Sequence, residues 1–243
     1  MITAPIVEQA LDRLFIAAEG ATLRREDRKK AVEVAALLGE LRRAGARGTF
    51  VDAAAGKAYV GLLAVDLLGV TDLRVIERDP TRAESCRVAA AKLSPSARVD
   101  VRAGDVADAS LWPEAPHAVV ALHACGPASD AILDAAVRAR ARWLFLVPCC
   151  YGAAIPFAAA AEATADRLGL PRHAEIRRRM LASLVDAERT LRLEAAGYET
   201  TVVPFVAPTV TGHNLLWRAR RMNEPVRMRE AAERLARLRA AGA

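Results

Sequence analysis

Five short β-rich runs recur along the middle of the chain: "GTFVDAAAG", "LRVIERD", "ARVDVRAGD", "HAVVALHACG" and "ARWLFLVPCC". Between them lie segments with helical periodicity at 57–69, 81–92, 107–112 and 127–139. A strand that returns parallel to its predecessor needs a crossover, and a helix is the usual one. The alternation therefore predicts an α/β fold with a parallel sheet covered on both faces.

Residues 5–18 and 24–45 read as helices, the second stopping at Gly45, and a long helical stretch follows the fifth run at about 153–197. The end of the chain differs. "YETTVVPFV" and "GHNLLWRAR" are separated only by "APTVT", too short for a parallel crossover, so these two strands are expected to be antiparallel. The whole reads as a Rossmann-like, seven-stranded, mostly parallel sheet with an antiparallel last strand. Its expected parts are an N-terminal helical extension (1–45), a main domain (46–220) with the insertion at 153–197, and a C-terminal arginine-rich helix (221–243). At 243 residues and 53% hydrophobic content, such a chain can bury a sizeable core.

The first twenty residues lack a basic region followed by a long apolar one, and no stretch is long enough to cross a bilayer. A cytoplasmic protein without a membrane partner is expected, and its oligomeric state is open. Without an oxidising compartment, the four cysteines Cys86, Cys125, Cys149 and Cys150 are expected to stay unpaired. The net charge of +6, from 35 basic and 29 acidic residues, fits a polyanionic partner such as RNA. It equally fits an arginine- and alanine-rich composition with no such partner.

Three nucleotide-type sites compete for "VDAAAGKAYVGLL". A P-loop requires a glycine five residues before Gly56 and a Ser or Thr after Lys57, and neither is present. A dinucleotide site requires G-x-G-x-x-G, and Asp52 at the strand end would repel a pyrophosphate. S-adenosylmethionine carries no phosphate, but has an ammonium, a carboxylate and a sulfonium. Asp52 can act on that cationic end, while Ala54 and Gly56, followed by Lys57, let the turn approach. Glu77, followed by Arg78, ends the second run, where a carboxylate can accept two ribose hydroxyls. Asp105, between Gly104 and Val106, ends the third, where it can receive an adenine amino group. Three acidic strand ends on one edge make a crevice of the kind in which such ligands sit. Alanine at 54 and 58 stands where glycine would be easier, since alanine resists positive φ.

The blocks "RKKAVEVAALL", "VDAAAGKAYVGL", "ALHACGPASDAIL", "LVPCCYG" and "TGHNLLWRA" resemble, in order, a methyltransferase-domain family with Leu-His-Ala-Cys after strand four and Pro-Cys-Cys after strand five. The sheet order expected above is that of class I methyltransferases. The resemblance runs from about residue 28 to 220 and implies methyl transfer from S-adenosylmethionine. Its distant eukaryotic relatives include tRNA acceptor-stem 2'-O-ribose methyltransferases, which implies RNA, as tRNA or rRNA, as a possible acceptor; a small molecule is the alternative. A non-catalytic, partner-binding domain is the reading from another class. Bacterial members often carry Gln-His after the second cysteine, where this chain has Tyr151 and Gly152.

In such a sheet the fourth strand ends beside the reacting methyl. His123 and Cys125 are therefore expected at the cofactor or acceptor, His123 either as a general base or as a structural hydrogen-bonding group. His117, at the other end of that strand, and His173, in the insertion, are expected to be structural or surface residues. His213 and Asn214 precede the last strand. Neighbouring cysteine side chains are expected to point apart, which disfavours a disulfide. His123, Cys125, Cys149 and Cys150 could converge on an ion because strands four and five are neighbours, but there is no C-x-x-C and adjacent cysteines rarely both face one ion, so no metal is assigned. Direct displacement needs no covalent nucleophile. Cys149, Cys150 and Tyr151 are therefore expected to wall the acceptor pocket.

Overall fold

The computed structural model describes residues 2–16 and 23–242. A seven-stranded sheet runs β3 (Arg98–Ala103), β2 (Asp72–Glu77), β1 (Thr49–Ala53), β4 (Ala118–Ala124), β5 (Trp143–Pro148), β7 (Leu215–Arg221), β6 (Tyr198–Pro204). The first five strands are mutually parallel, and β7 is antiparallel to both β5 and β6. This is the sheet expected from the crossover argument.

Alternation along the central strands feeds two cores. Phe50, Val120, Phe145 and Val147 point to one face, where they meet helices α1 (Ala4–Leu11), α2 (Arg25–Ala44) and α3 (Tyr59–Leu68). Val51, Ala53, Val119, Ala121, Leu144 and Leu146 point to the other, against α5 (Ala128–Arg138). Each fully buried Val, Leu or Phe contributes roughly 1.5–3 kcal/mol relative to exposure. Between β2 and β3 the crossover is α4 (Pro80–Ala90), opened by Pro80 and capped by Asp79, whose carboxylate accepts from the N–H groups of Thr81 and Arg82.

The helix expected at 5–18 is shorter. It runs from Ala4 to Leu11 and continues as a π-helical turn from Asp12 to Ile16; its expected last two residues lie outside the described ones. The segment expected to be helical at 107–112 is a single 3₁₀ turn, Ala109–Leu111.

The insertion after β5 forms α6 (Ala158–Arg167) and α7 (Ala174–Ala195), and the C-terminal tail forms α8 (Pro225–Ala240). A buried ionic network ties these to the sheet layer. Arg189, with no exposed surface, donates to both oxygens of Asp130 on α5 at 3.2 and 2.7 Å. Arg192 pairs with Asp130, Asp134 and Glu188, and Arg239 of α8 reaches Glu188 at 2.5 Å. Among the described residues, no helix is long and apolar enough to cross a membrane.

Candidate functional site

In a doubly wound sheet the order reverses where the first two crossovers diverge, here between β1 and β4, and a crevice opens at the carboxyl ends of those strands. A cavity of about 260 Å³ lies there, lined by Asp52, Ala54, Gly56 and Lys57 after β1 and by Leu122 and His123 of β4. Lys30 of α2, Tyr59 of α3 and Arg82 of α4 complete its wall.

Asp52 is only 2% exposed, and its Oδ2 accepts from the Gly61 N–H at 2.8 Å. Burial, reinforced by the nearby Glu77 charge, raises its pKa to about 7 against that hydrogen bond. No ion pair to Asp52 is found among the described residues. Gly61 is what lets α3 come this close: a Cβ there would sit 2.8 Å from the Asp52 Cβ. An isolated glycine inside a helical pattern signals such an approach, and Gly61 was not among the expected site residues.

Glu77 is also buried, and it clamps the two loops. Its Oε2 accepts from the Gly56 N–H at 2.6 Å and its Oε1 from the Asp79 N–H at 2.9 Å. Cys86 of α4 donates to the Gly56 carbonyl at 3.4 Å, and burial pushes its thiol up to about 12. The turn is strained in the manner anticipated: Ala54 and Ala58 have φ of 52° and 53°, a region costly for residues with a Cβ. Lys57 between them is exposed.

Around the third strand end the expected residues divide by role. Asp105 is exposed, its Oδ1 accepting from the Ala107 N–H at 2.9 Å, and Arg78 is exposed nearby in sequence to Glu77. Val106 is buried, with its carbonyl accepting from the Trp112 indole at 2.8 Å. Gly104 fits against Leu111, whose Cδ1 would lie 2.6 Å from an added Cβ.

His123 sits at a register irregularity between β4 and β5, with φ of 60°. That kink takes its side chain out of the strand's alternation and toward α2, where Nε2 lies 2.9 Å from Glu33 Oε1. Glu33 is 4% exposed and also pairs with Lys30 at 2.5 Å. Burial alone would raise the Glu33 carboxyl, but the hydrogen bonds from His123 and Lys30 outweigh it and hold the group below its usual range. Glu33 and Lys30 were not expected at the site. Their signal was a carboxylate standing among the apolar positions Ala31, Val34 and Leu37 of an otherwise amphipathic helix.

Residues 27–154, just over half of the chain, match the family described as "Methyltransferase domain". The chain belongs to this methyltransferase-domain family. No curated protein matches it. Among solved structures, the B. subtilis M1A22 tRNA methyltransferase TrmK is 11% identical, with 85% of this chain and 97% of that one covered at a TM-score of 0.50. That likeness speaks for the fold. A putative caffeoyl-CoA O-methyltransferase from Staphylococcus aureus is 11% identical, with 88% and 91% of the chains covered at 0.49. Magnesium protoporphyrin IX methyltransferase from Synechocystis PCC 6803, with bound SAH, is 12% identical, with 88% and 93% covered at 0.48.

In this methyltransferase domain the cysteine expectation needs correction. The side chains of Cys149 and Cys150 do not point apart: their sulfurs are 3.5 Å from one another, and Cys149 also donates to the His123 carbonyl at 3.4 Å. Alternation holds only within a strand, and β5 ends at Pro148. Cys125 joins them, all three sulfurs lying within 4.8 Å of one another. All four cysteines are free. Hydrogen bonds from Cys125 and Cys149 lower the Cys150 thiol, while burial raises Cys149.

Tyr151 is held from two sides, donating to Asp186 Oδ1 at 2.7 Å while Arg189 lies over its ring at 5.6 Å. It lines a second, larger cavity of about 390 Å³ between α6 and α7, walled by Ile155, Ala158, Ala161, Leu181 and Val185 with Arg177 and Arg178 at its margin. Size alone would favour this cavity as the centre of the chemistry. The polar groups that converge on a ligand favour the smaller one.

The remaining histidines lie elsewhere. His117 Nε2 is 2.7 Å from the Ala44 carbonyl, and His173 and His213 are exposed, with Asn214 donating to the Val206 carbonyl within the β6–β7 turn. At the amino-terminal edge of the parallel strands, opposite the site, Arg43, Arg47, Arg142 and Arg220 gather around a polar recess.

Proposed function

We infer that the domain transfers a methyl group from S-adenosylmethionine to an acceptor by direct displacement. The observation that carries this reading is Asp52: a buried carboxylate at the sheet's switch point, facing a cavity and without an ion-pair partner among the described residues. A ligand with a cationic end supplies the missing charge, whereas a pyrophosphate would be repelled. When bound, S-adenosylmethionine supplies a methyl on a sulfonium sulfur, already electrophilic.

The chain's own tasks are then to bind, orient and receive a proton. Each oxygen of Glu77 holds one backbone N–H and keeps a lone pair for a ribose hydroxyl. Asp105 is the acceptor for the adenine amino group, with Val106, Gly104 and Arg78 shaping that end. Ala54, Gly56 and Lys57 form the turn against the methionine part. With Glu33 accepting from Nε2–H, the neutral His123 ring carries its basic lone pair on Nδ1, the atom that takes the acceptor's proton.

For the acceptor, the apolar cavity beside Tyr151 supports a small molecule with an apolar body; Cys149 and Cys150 directly precede Tyr151 in the chain but line neither cavity. RNA is the second reading, supported by the net charge of +6 and the arginines around the opposite recess. Calorimetric titration with S-adenosylmethionine and S-adenosylhomocysteine tests the enzyme reading. Micromolar binding, lost in Asp52→Ala and Glu77→Ala, is expected; no binding to the wild type would leave a partner-binding domain in its place.

A further inference from the structure

This chain has four cysteines, and three of them meet at one point. Cys125 comes from the turn after β4, and Cys149 and Cys150 from the turn after β5, two neighbouring parallel strands. Their sulfurs lie within 4.8 Å of one another, with the adjacent pair at 3.5 Å. Three thiolates bound to one Zn²⁺ at about 2.3 Å lie about 3.8 Å apart in tetrahedral geometry, so the cluster needs only small side-chain rotations to hold the ion.

The scaffold is stiff. The kink at His123, with φ of 60°, fixes where the chain turns toward Cys125, and the Cys149 thiol is anchored on the His123 carbonyl. Cys149 is buried, whereas Cys125 and Cys150 are exposed, which gives the ion a way in and leaves one side of it open. The sequence argument against a metal was that the chain has no C-x-x-C and that adjacent cysteines rarely both face one ion; here the sulfurs of the adjacent pair lie on the same side, together with that of Cys125.

We propose that Cys125, Cys149 and Cys150 form a three-thiolate Zn²⁺ site at the carboxyl ends of β4 and β5, with the fourth position taken by water or a donor atom of a ligand. Three protein ligands with an open position is the arrangement of zinc sites that do more than hold a fold. Soft thiolates select zinc over magnesium, calcium or manganese. Binding of the ion does not depend on the methyl-transfer reading and is measured without it.

The test is reconstitution of the reduced, metal-free protein with Zn²⁺, followed by dialysis and elemental analysis. Cd²⁺ serves as the spectroscopic probe through its sulfur-to-metal charge-transfer absorption. One equivalent of tightly held Zn²⁺ is expected, together with a thiolate charge-transfer band on Cd²⁺ addition and a higher Tm with metal than without. Cys125→Ser and Cys150→Ser, at exposed positions and with circular dichroism unchanged from the wild type, should each lose most of the uptake and the Tm shift. His213→Ala, an exposed imidazole outside the cluster, should keep both. Absence of stoichiometric uptake by the wild type overturns the site, as does uptake that the two serine variants retain.

Discussion

Asp52 concentrates the physics of the candidate site in one side chain. It is buried to 2% exposure beneath α3, which only Gly61 allows to approach, and its pKa is raised to about 7 chiefly by desolvation. A carboxyl with a folded-state pKa above its unfolded value binds more protons folded than unfolded across the window between the two. Stability therefore falls as pH rises from about 4 to about 7, by up to about 1.4 kcal/mol per pH unit from this group alone. Asp186, raised to about 6 by its own burial, contributes in the same direction over only the lower part of that window. Urea denaturation at a series of pH values should show Asp52→Asn with a flatter dependence than the wild type, most clearly between pH 6 and 7. Equal slopes there would mean that Asp52 is ionised in the free protein. The acidic strand ends were readable from the sequence because three carboxylates, Asp52, Glu77 and Asp105, fall in order at the ends of the first three strands. The hydrogen bonds that occupy Asp52 and Glu77 were not, since they depend on backbone N–H groups of Gly56, Gly61 and Asp79 that only the folded turns aim inward.

At the scale of elements, α7 is joined to α5 through charges rather than apolar packing alone. Arg189 is fully buried, and Asp130 accepts from both Arg189 and Arg192. Removing one partner of a buried pair leaves the other uncompensated, so Asp130→Ala should cost roughly 3–5 kcal/mol, measured as a shift of the denaturation midpoint. Asp130→Asn, which keeps an acceptor, should cost less. The same network bears on the larger cavity, because Arg189 also lies over Tyr151. The periodicity of the insertion announced its helices well enough. It could not announce this network, in which Arg189 and Arg192 stand 59 and 62 residues from Asp130 in the chain.

Across the whole molecule, the smaller cavity with Asp52 and His123 in its wall and the arginine recess lie at opposite edges of the sheet. On the proposed small-molecule reading the acceptor occupies the cavity beside Tyr151, whereas the arginines that support an RNA reading stand at the opposite edge. The methyl-transfer rate should therefore be nearly insensitive to salt between about 50 and 200 mM, a range over which a phosphate-anchored complex loses orders of magnitude in affinity. A radiolabelled-methyl assay run across that range on extracted RNA and on metabolite pools decides between them: a steep salt dependence with label in RNA would reverse the preference.

The sequence by itself determined the parallel sheet, its antiparallel last strand and the acidic carboxyl edge, because strand and helix periods and connection lengths are local properties. Tertiary structure decided what required distant segments to meet. It brought Glu33 of α2 to His123 and gathered Cys125 with Cys149 and Cys150. The physical reason is that a kinked strand end and a strand that stops at Pro148 release their side chains from alternation. From there on, direction is set by neighbouring elements and no longer by position in the chain.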